Sequence, residues 1–191
     1  MFLPVPPRPD DGSAPTPLPA ASAAEEEDLR AVVGPNAGFY LAAWRPTLTG
    51  RTGTGFNRAA FFLSYFWLAY RRTYARAFAL VAIILAEIVA EEVLFCFVLG
   101  FDQPPAILTP LVGFTLAVVC GASANRWYLA HARRVIAEVR REHPNPDVRA
   151  ELAARGGTSF GGAVAALFVC FVAAVALGAV VGGLQLLLAG S

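Results

Sequence analysis

The chain has 191 residues, of which 57% are hydrophobic and 15% are charged, and its net charge is +1. A soluble globular domain has about 25% charged residues, so this composition excludes an ordinary soluble domain and favours a membrane protein. All fifteen basic residues are arginines. Their positions along the chain are therefore more informative than the nearly neutral total.

Residues 1–31 are predicted to be a disordered leader rich in proline, alanine and acidic residues. Seven of the fourteen prolines fall before Glu25, where the acidic run begins. A segment of this composition cannot bury enough apolar surface to fold. It also lacks the basic start and apolar run of a signal peptide. The motif LPVPPRP near its start offers an alternative interpretation, a polyproline II ligand.

Ordered structure is predicted to begin with a short cytoplasmic helix over residues 36–45. Asn36 is a suitable N-cap, and Pro46 follows the predicted end. One face of this helix is formed by Phe39, Tyr40, Ala43 and Trp44. Two interpretations of that face remain open: it packs on the protein's own helices, or it lies on lipid headgroups. Residues 47–55 have the composition of a flexible linker.

Residues 57–76 are predicted to form an aromatic helix that lies in the membrane interface. Asn57 is a good N-cap for a helix that begins at Arg58. The run to Tyr70 is apolar on every side, but it rises only about 20 Å, whereas a bilayer core is about 30 Å thick. The arginines that follow favour the headgroup level, so we place this helix in the inner leaflet beneath the spans.

Three longer apolar runs predict transmembrane helices over residues 77–100, 106–125 and 160–189. Arginines precede the first run and fill the connection between the second and third, whereas the connection 101–105 contains no basic residue. Because basic residues concentrate on the cytoplasmic side, the N-terminus is predicted to be inside and the C-terminus outside.

Three glutamates in the first predicted span form a candidate intramembrane polar site. Glu87 lies about 15 Å along the span, Glu91 follows one turn later on the same face, and Glu92 is rotated by about 100°. Thr115 on the second span is a candidate partner for Glu87, and Thr109 for Glu91 or Glu92. An acidic residue at the bilayer centre costs roughly 2.5–3.5 kcal/mol. Hydrogen bonds between helices, contact with a partner protein, and a proton or cation pathway are the alternatives.

Residues 126–158 are predicted to form a cytoplasmic helical hairpin whose first helix is basic, amphipathic and continuous with the second span. Pro144 ends that helix, and Asn145 and Pro146 are predicted to begin a second one, which ends at Gly156. Nucleic-acid binding would require a denser, unneutralised basic patch. Anionic lipid headgroups are the predicted partners of Arg71, Arg72, Arg76, Arg133, Arg134, Arg140 and Arg141.

The third predicted span carries small residues at every fourth position, and Thr158 or Ser159 is expected to cap it. A ridge of small residues lets another helix approach closely. We favour packing on the other spans of this chain, and another subunit is the alternative. The ridge comprises Gly162, Ala166, Cys170, Ala174, Gly178 and Gly182.

Four motifs occur in order ahead of the last span: VGPNAGFYLAAW, FNRAAFFLSYFWLAYRRTY, ANRWYLAHARRVI and RGGTS. Over roughly residues 32–175 the chain resembles a family of small bacterial membrane proteins, domain of unknown function 2628. It departs from the family at Arg58, where Trp is usual, and at Ser64-Tyr65, where Gly-Pro is frequent. A Gly-Pro pair would bend the helix, so Ser-Tyr predicts an unkinked helix here. The resemblance implies an integral membrane protein and no particular activity.

These patterns predict an all-α, polytopic membrane protein with three spans. We expect a non-enzymatic accessory or scaffold subunit of a membrane complex, with a homo-oligomer as one form of lateral contact. A small transporter or proton-conducting component that uses Glu87 and Glu91 is the alternative. His131 and His143 have no cysteine or carboxylate at metal-ligand spacing, and no cofactor motif occurs, so we predict neither a metal nor a cofactor.

Overall fold

The computed structural model describes residues 23–144 and 147–189, with side chains as far as Gln185. Every regular element in this part of the chain is helical, as predicted. A 3-10 turn, Gly34–Asn36, joins the first two α-helices, and a π-helical turn, Val93–Val98, extends the fourth. The α-helices of the described part are α1 (Ala23–Val33), α2 (Ala37–Leu48), α3 (Arg58–Tyr70), α4 (Tyr74–Glu92), α5 (Leu108–Glu142), α6 (Arg149–Arg155) and α7 (Phe160–Ala189).

Helix α1 occupies residues 23–33, so the prediction of a disordered leader is wrong for residues 23–31. The rest of that leader, including the polyproline motif, lies outside the described residues. Leu29, Val32 and Val33 are buried where α1 contacts α2, α5 and α6. The prediction rested on a composition too poor in apolar surface to fold, whereas α1 does bury apolar residues, and arginines of α5 and α6 pair with three of its four acids.

Helix α2 covers Ala37–Leu48 rather than the predicted residues 36–45. Asn36 belongs to the preceding 3-10 turn and makes no side-chain capping bond, so its predicted role is wrong. Pro46 lies inside the last turn of α2 instead of beyond its end. Because proline has no backbone N–H, Pro46 removes one intrahelical hydrogen bond from the last turn of α2.

The aromatic face of α2 packs mainly on the protein itself, which decides between the two interpretations of that face. Tyr40 and Trp44 are buried, and their ring centroids lie 5.0 and 5.5 Å from that of Tyr128 on α5. The indole Nε1 of Trp44 donates a hydrogen bond to the carbonyl of Asn125 at 2.8 Å. Phe39, at the edge of this face, remains 61% exposed.

A buried pair of asparagines fixes the start of α3 against α5. Asn57 caps α3 as predicted, because its Oδ1 accepts from the N–H of Ala60 at 2.9 Å. Its Nδ2 donates to Oδ1 of Asn125 at 2.8 Å, and Nδ2 of Asn125 donates to the carbonyl of Thr54 at 2.8 Å. The N–H of Asn57 donates to the carbonyl of Gly121 at 2.7 Å. The end of the predicted flexible linker is therefore anchored.

Helix α3 is kinked at Ser64, so the prediction of an unkinked helix is wrong. Ser64 has φ 40° and ψ −115°, which lies outside the helical region. A positive φ of this kind favours glycine, the residue that the family often has here. The prediction considered only the local preference of Ser-Tyr. However, α3 contacts α4, α5 and α7, and tertiary packing of this extent overrides local preference.

We expect Ser64→Gly to raise the stability of the protein. Glycine removes the strain of the positive φ, and its greater freedom in the unfolded chain offsets part of that gain, leaving about 1 kcal/mol. The thermal midpoint in mild detergent, followed by circular dichroism, should rise by about 2–4 °C. Ser123→Gly is the matched control, since Ser123 lies within α5, and it should lower stability by about 0.5 kcal/mol. A lower midpoint for both variants would contradict strain at Ser64.

Two helices of the described part, α5 and α7, are long and apolar enough to cross a membrane, whereas three were predicted. Helix α4 falls short because its 19 residues include Arg76 and three glutamates. Its regular α-helical geometry also ends at Glu92, where the π-helical turn begins. Helix α5 continues without a break from its apolar half to Glu142, as predicted.

The ends of α6 and α7 connect the hairpin to the rest of the fold. Helix α6 begins at Arg149 and ends before Gly156, whereas Asn145 and Pro146, its predicted start, lie outside the described residues. The N–H of Gly157 donates to the carbonyl of Val32 at 2.6 Å, which ties this corner to α1. Helix α7 has the predicted bounds, and Ser159 caps it, because its Oγ accepts from the N–H of Gly162 at 3.0 Å.

Candidate functional site

Two of the three predicted intramembrane glutamates form hydrogen bonds with neighbouring helices. The hydroxyl of Thr109 on α5 donates to Oε2 of Glu91 at 3.0 Å, one of the contacts predicted for Thr109. Gln185 on α7 donates through Nε2 to Oε1 of Glu92. Sequence reasoning missed Gln185, although it is the one strongly polar side chain in the apolar run 160–189. Glu91 and Glu92 therefore connect α4 to α5 and α7.

Glu87 differs from the other two glutamates in its surroundings. Thr115 was predicted to reach it, but the Thr115 hydroxyl donates to the carbonyl of Leu111 in its own helix at 2.9 Å. The structure therefore does not bring Thr115 to Glu87. Oε1 of Glu87 is buried and has no hydrogen-bond partner in the described part of the chain, although the carboxyl group of Glu87 interacts with that of Glu91 one turn away. Because a buried polar atom without a partner is costly, Glu87 is the glutamate most open to a further contact.

Arg71 was predicted to contact lipid headgroups, but it is 4% exposed and lies among tyrosines, so that prediction is wrong. Its guanidinium carbon lies 4.5 Å from the ring centroid of Tyr40, 5.7 Å from that of Tyr70 and 5.1 Å from that of Tyr128. Burial raises the pKa of Tyr128, and the Arg71 guanidinium opposes that rise. The cation is stabilised by ring faces from three segments of the chain, which sequence periodicity could not reveal.

Two more of the predicted headgroup contacts, Arg133 and Arg140, are paired with acids of α1. Arg133 lies 2.9 Å from Glu25, and Arg140 lies 2.6 Å from Asp28. These pairs are partly exposed, so each contributes only about 0–1 kcal/mol to stability. Their greater consequence is electrostatic, because α1 neutralises this side of the basic helix. The contact of Arg133 and Arg140 with headgroups stays a prediction, although α1 supplies each of them with an acidic partner.

The other predicted headgroup arginines fall into two groups. Arg72 and Arg76 are held by backbone carbonyls: Nη1 of Arg72 donates to that of Ala154 at 2.8 Å, and Nη1 of Arg76 donates to that of Trp127 at 2.8 Å. Arg134 and Arg141 are exposed side chains of α5. Arg72, Arg76 and Arg134 line one cavity and remain suited to an external anion, whereas Arg141 lies outside that cavity.

The small-residue ridge of α7 packs within the chain only over its first half. Ala166 is buried, and a Cβ on Gly162 would lie 2.0 Å from the Tyr74 hydroxyl. Ala174 and Gly178 are exposed. A four-residue step turns an α-helix by about 400°, so such a ridge drifts by about 40° per step. By Gly178 it has left the face that contacts the chain. Cys170 and Gly182 are half-buried.

Comparison with known proteins gives one match. No curated protein and no solved structure shows significant similarity to the chain. A family described as "Protein of unknown function (DUF2628)" matches residues 31–134, which is just over half of the chain. The chain belongs to this family. The resemblance noted in the sequence is thus confirmed, although the match ends well before residue 175.

The DUF2628 region contains most of the features described above. It includes the Asn57–Asn125 pair, the tyrosines around Arg71 and the glutamates of α4. Helices α6 and α7 lie beyond its end, and so do the RGGTS motif and Gln185. The description of the DUF2628 family names no activity.

Proposed function

We propose that this DUF2628 protein is an integral protein of the bacterial inner membrane and a non-enzymatic accessory or scaffold subunit of a membrane complex. The membrane assignment is supported by the surfaces of α5 and α7. In the most apolar stretch of α5 only 22% of the residues are buried within the chain, and in that of α7 only 11% are buried. Phe114 of α5 and Phe168 of α7 are 61% and 66% exposed. Exposed apolar surface of this extent suits contact with lipid.

The proposed topology has α4 as the first of three spans, although its charge content sets it apart from α5 and α7. Hydrogen bonds from Thr109 and Gln185 to Glu91 and Glu92 lower the cost of placing these carboxyl groups in lipid. The π-helical turn carries the helix on to Val98. With basic residues on the inner side, the N-terminus is cytoplasmic and the C-terminus periplasmic.

The observation that carries the scaffold proposal is the outer ridge of α7, formed by Ala174 and Gly178. A Cβ added to Gly178 would meet no atom of the chain within 4 Å. Small residues in a membrane helix let a second helix come close enough for extensive van der Waals contact. The outer ridge continues the small-residue pattern that does pack within the chain at Gly162 and Ala166. We propose a transmembrane helix of another protein as its occupant.

The test is purification of the tagged full-length chain from its native membranes in mild detergent, with mass spectrometry of the proteins that accompany it. We expect a stoichiometric membrane-protein partner that is lost from Gly178→Leu, since a bulky side chain would hold the partner helix away. Ala179→Leu is the matched control, because Ala179 is also exposed but is rotated by about 100° from Gly178. It should keep the partner.

Two outcomes would refute this function. One is purification of the chain alone or as a homo-oligomer, which removes the need for a partner protein. The other is equal loss of the partner from both leucine variants, which would show that the outer ridge is not its binding surface. Chemical crosslinking in intact membranes before extraction guards against loss of a weak partner in detergent.

A second candidate function, proton or cation conduction, is favoured by one observation, the buried and unpartnered Oε1 of Glu87. Intramembrane carboxyl groups are common components of proton pathways. In vesicles that contain the purified protein, conduction predicts a pH-dependent flux that Glu87→Gln abolishes. A scaffold predicts no such flux and an unchanged set of partners for Glu87→Gln.

A further inference from the structure

A small basic pocket lies where α4 begins beside the middle of α5. It has a volume of about 280 Å³. Among the described residues it has three arginines and a histidine in its lining but no carboxylate. The lining consists of Arg72, Thr73, Tyr74, Ala75, Arg76, His131 and Arg134.

The cations of this pocket are held close together despite their mutual repulsion. The hydrogen bond from Arg76 to the carbonyl of Trp127 fixes one guanidinium at the pocket wall. Trp127, His131 and Arg134 follow at i, i+4 and i+7, so they share one face of α5. Burial, and then the charge of Arg134, lowers the pKa of Arg76. An electropositive cavity of this kind attracts an anion.

The pKa of His131 supports the same picture. Burial lowers it most, and the charges of Arg134 and Arg76 lower it further, whereas Glu138 on the same helix acts in the opposite direction. Both arginines therefore lie close enough to His131 to disfavour its charged form. An anion among these side chains would relieve the repulsion from both arginines and raise that pKa.

The first turn of α4 supplies further donors to the pocket. The backbone N–H groups of Tyr74 and Ala75 have no acceptor within their helix, because they precede its first i→i−4 bond. Thr73, at the N-cap position, makes no capping bond, since its hydroxyl donates to the carbonyl of Leu68 at 2.7 Å. The positive end of the helix dipole is thus uncapped beside the three arginines.

We infer that this pocket binds a phosphate group, carried either by an anionic lipid headgroup or by a small soluble molecule. Guanidinium groups bind phosphate oxygens through charge-assisted hydrogen bonds, and backbone N–H groups at a helix N-terminus add to them. The volume is just below the range typical of pockets for drug-sized ligands, which suits a phosphate and its immediate substituents. The inference does not depend on a partner protein, because binding is a property of the isolated chain.

The experiment titrates the full-length protein in mild detergent with two probes, inorganic phosphate at constant ionic strength and dihexanoyl phosphatidylglycerol. The shift of the thermal midpoint with probe concentration gives the Kd of each. Saturable binding of inorganic phosphate indicates a soluble phosphate site. Saturable binding of the lipid alone indicates a headgroup site. Either result supports the inference, and binding of neither probe by the wild-type protein overturns it.

The matched variants are Arg134→Gln and Arg141→Gln, which make the same change in charge at exposed positions two turns apart on α5. We expect Arg134→Gln to weaken the Kd by roughly tenfold or more, because it removes one charge-assisted hydrogen bond. Arg141→Gln should leave the Kd within about twofold, since Arg141 lies outside the pocket. Equal weakening by both variants would indicate general surface charge and overturn the pocket. Equal midpoints of all three proteins without probe establish that folding is unaffected.

Discussion

Asn125→Ala is expected to destabilise the protein strongly, since one buried side chain holds together the linker, the cap of α3 and helix α5. The substitution leaves Nδ2 of Asn57 without its acceptor and the carbonyl of Thr54 without its donor. Both groups belong to buried residues, and each unsatisfied group costs about 1–3 kcal/mol. The thermal midpoint in mild detergent should therefore fall by roughly 4 °C at the least and by considerably more if both penalties apply in full.

Asn36→Ala is the matched control for this prediction. Asn36 is exposed and its side chain makes no capping bond, so the same chemical change should alter stability by less than about 0.5 kcal/mol. A further variant, Asn125→Asp, keeps the shape and the acceptor for Asn57 but places an oxygen where Nδ2 faces the carbonyl of Thr54. It should be as unstable as the alanine variant near neutral pH. A midpoint of Asn125→Ala equal to that of Asn36→Ala would show that the asparagine pair is dispensable.

Features that depend on one short stretch of sequence were predicted well. Asn57 caps α3, Ser159 caps α7, and α5 runs unbroken from its apolar half into its basic half. Each of these follows from a local rule on capping or on helical periodicity. The contact between Thr109 and Glu91 was also anticipated, because antiparallel neighbouring helices place residues of known depth side by side.

Features that depend on residues from several segments could not be predicted. The tyrosines around Arg71 come from α2, α3 and α5, so no single window of sequence contains them. Helix α1 packs on α5 and α6, whose residues lie far along the chain, as in the pairing of Glu25 with Arg133 over more than a hundred residues. The kink at Ser64 is set by the helices that surround α3. In all three cases long-range packing overrides composition or local preference.

The candidate site shows the same division. Spacing alone placed Glu87, Glu91 and Glu92 on α4, but it could not say which of them would find a partner. The basic pocket was missed for a different reason. The sequence identified seven arginines one by one as headgroup contacts, but the fold gives them different surroundings. It buries Arg71, pairs Arg133 with an acid of α1, and gathers Arg76 and Arg134 around one cavity.

Gly156→Ala is expected to detach α1 from the rest of the protein. A Cβ at this position would lie 2.3 Å from the carbonyl oxygen and 2.7 Å from the Cα of Val32. Gly156 has a negative φ of −82°, and the observation that requires glycine here is the close approach of the Val32 backbone. Since the obstructing atoms are backbone, no side-chain rotation can relieve it. Overpacking of this kind costs about 1–3 kcal/mol or more, and α1 must move away.

Movement of α1 would also break the hydrogen bond from Gly157 to Val32 and expose Leu29. The measurement is amide hydrogen exchange in mild detergent, in which residues 23–33 should lose protection while α5 keeps it. Gly38→Ala is the matched control, because Gly38 lies in α2 with no atom within 4 Å of an added Cβ. It should leave α1 protected and stabilise α2 by about 0.5–1 kcal/mol. Unchanged protection of α1 in Gly156→Ala would contradict the close approach of the Gly156 and Val32 backbones, and with it the packing of α1 on the end of α6.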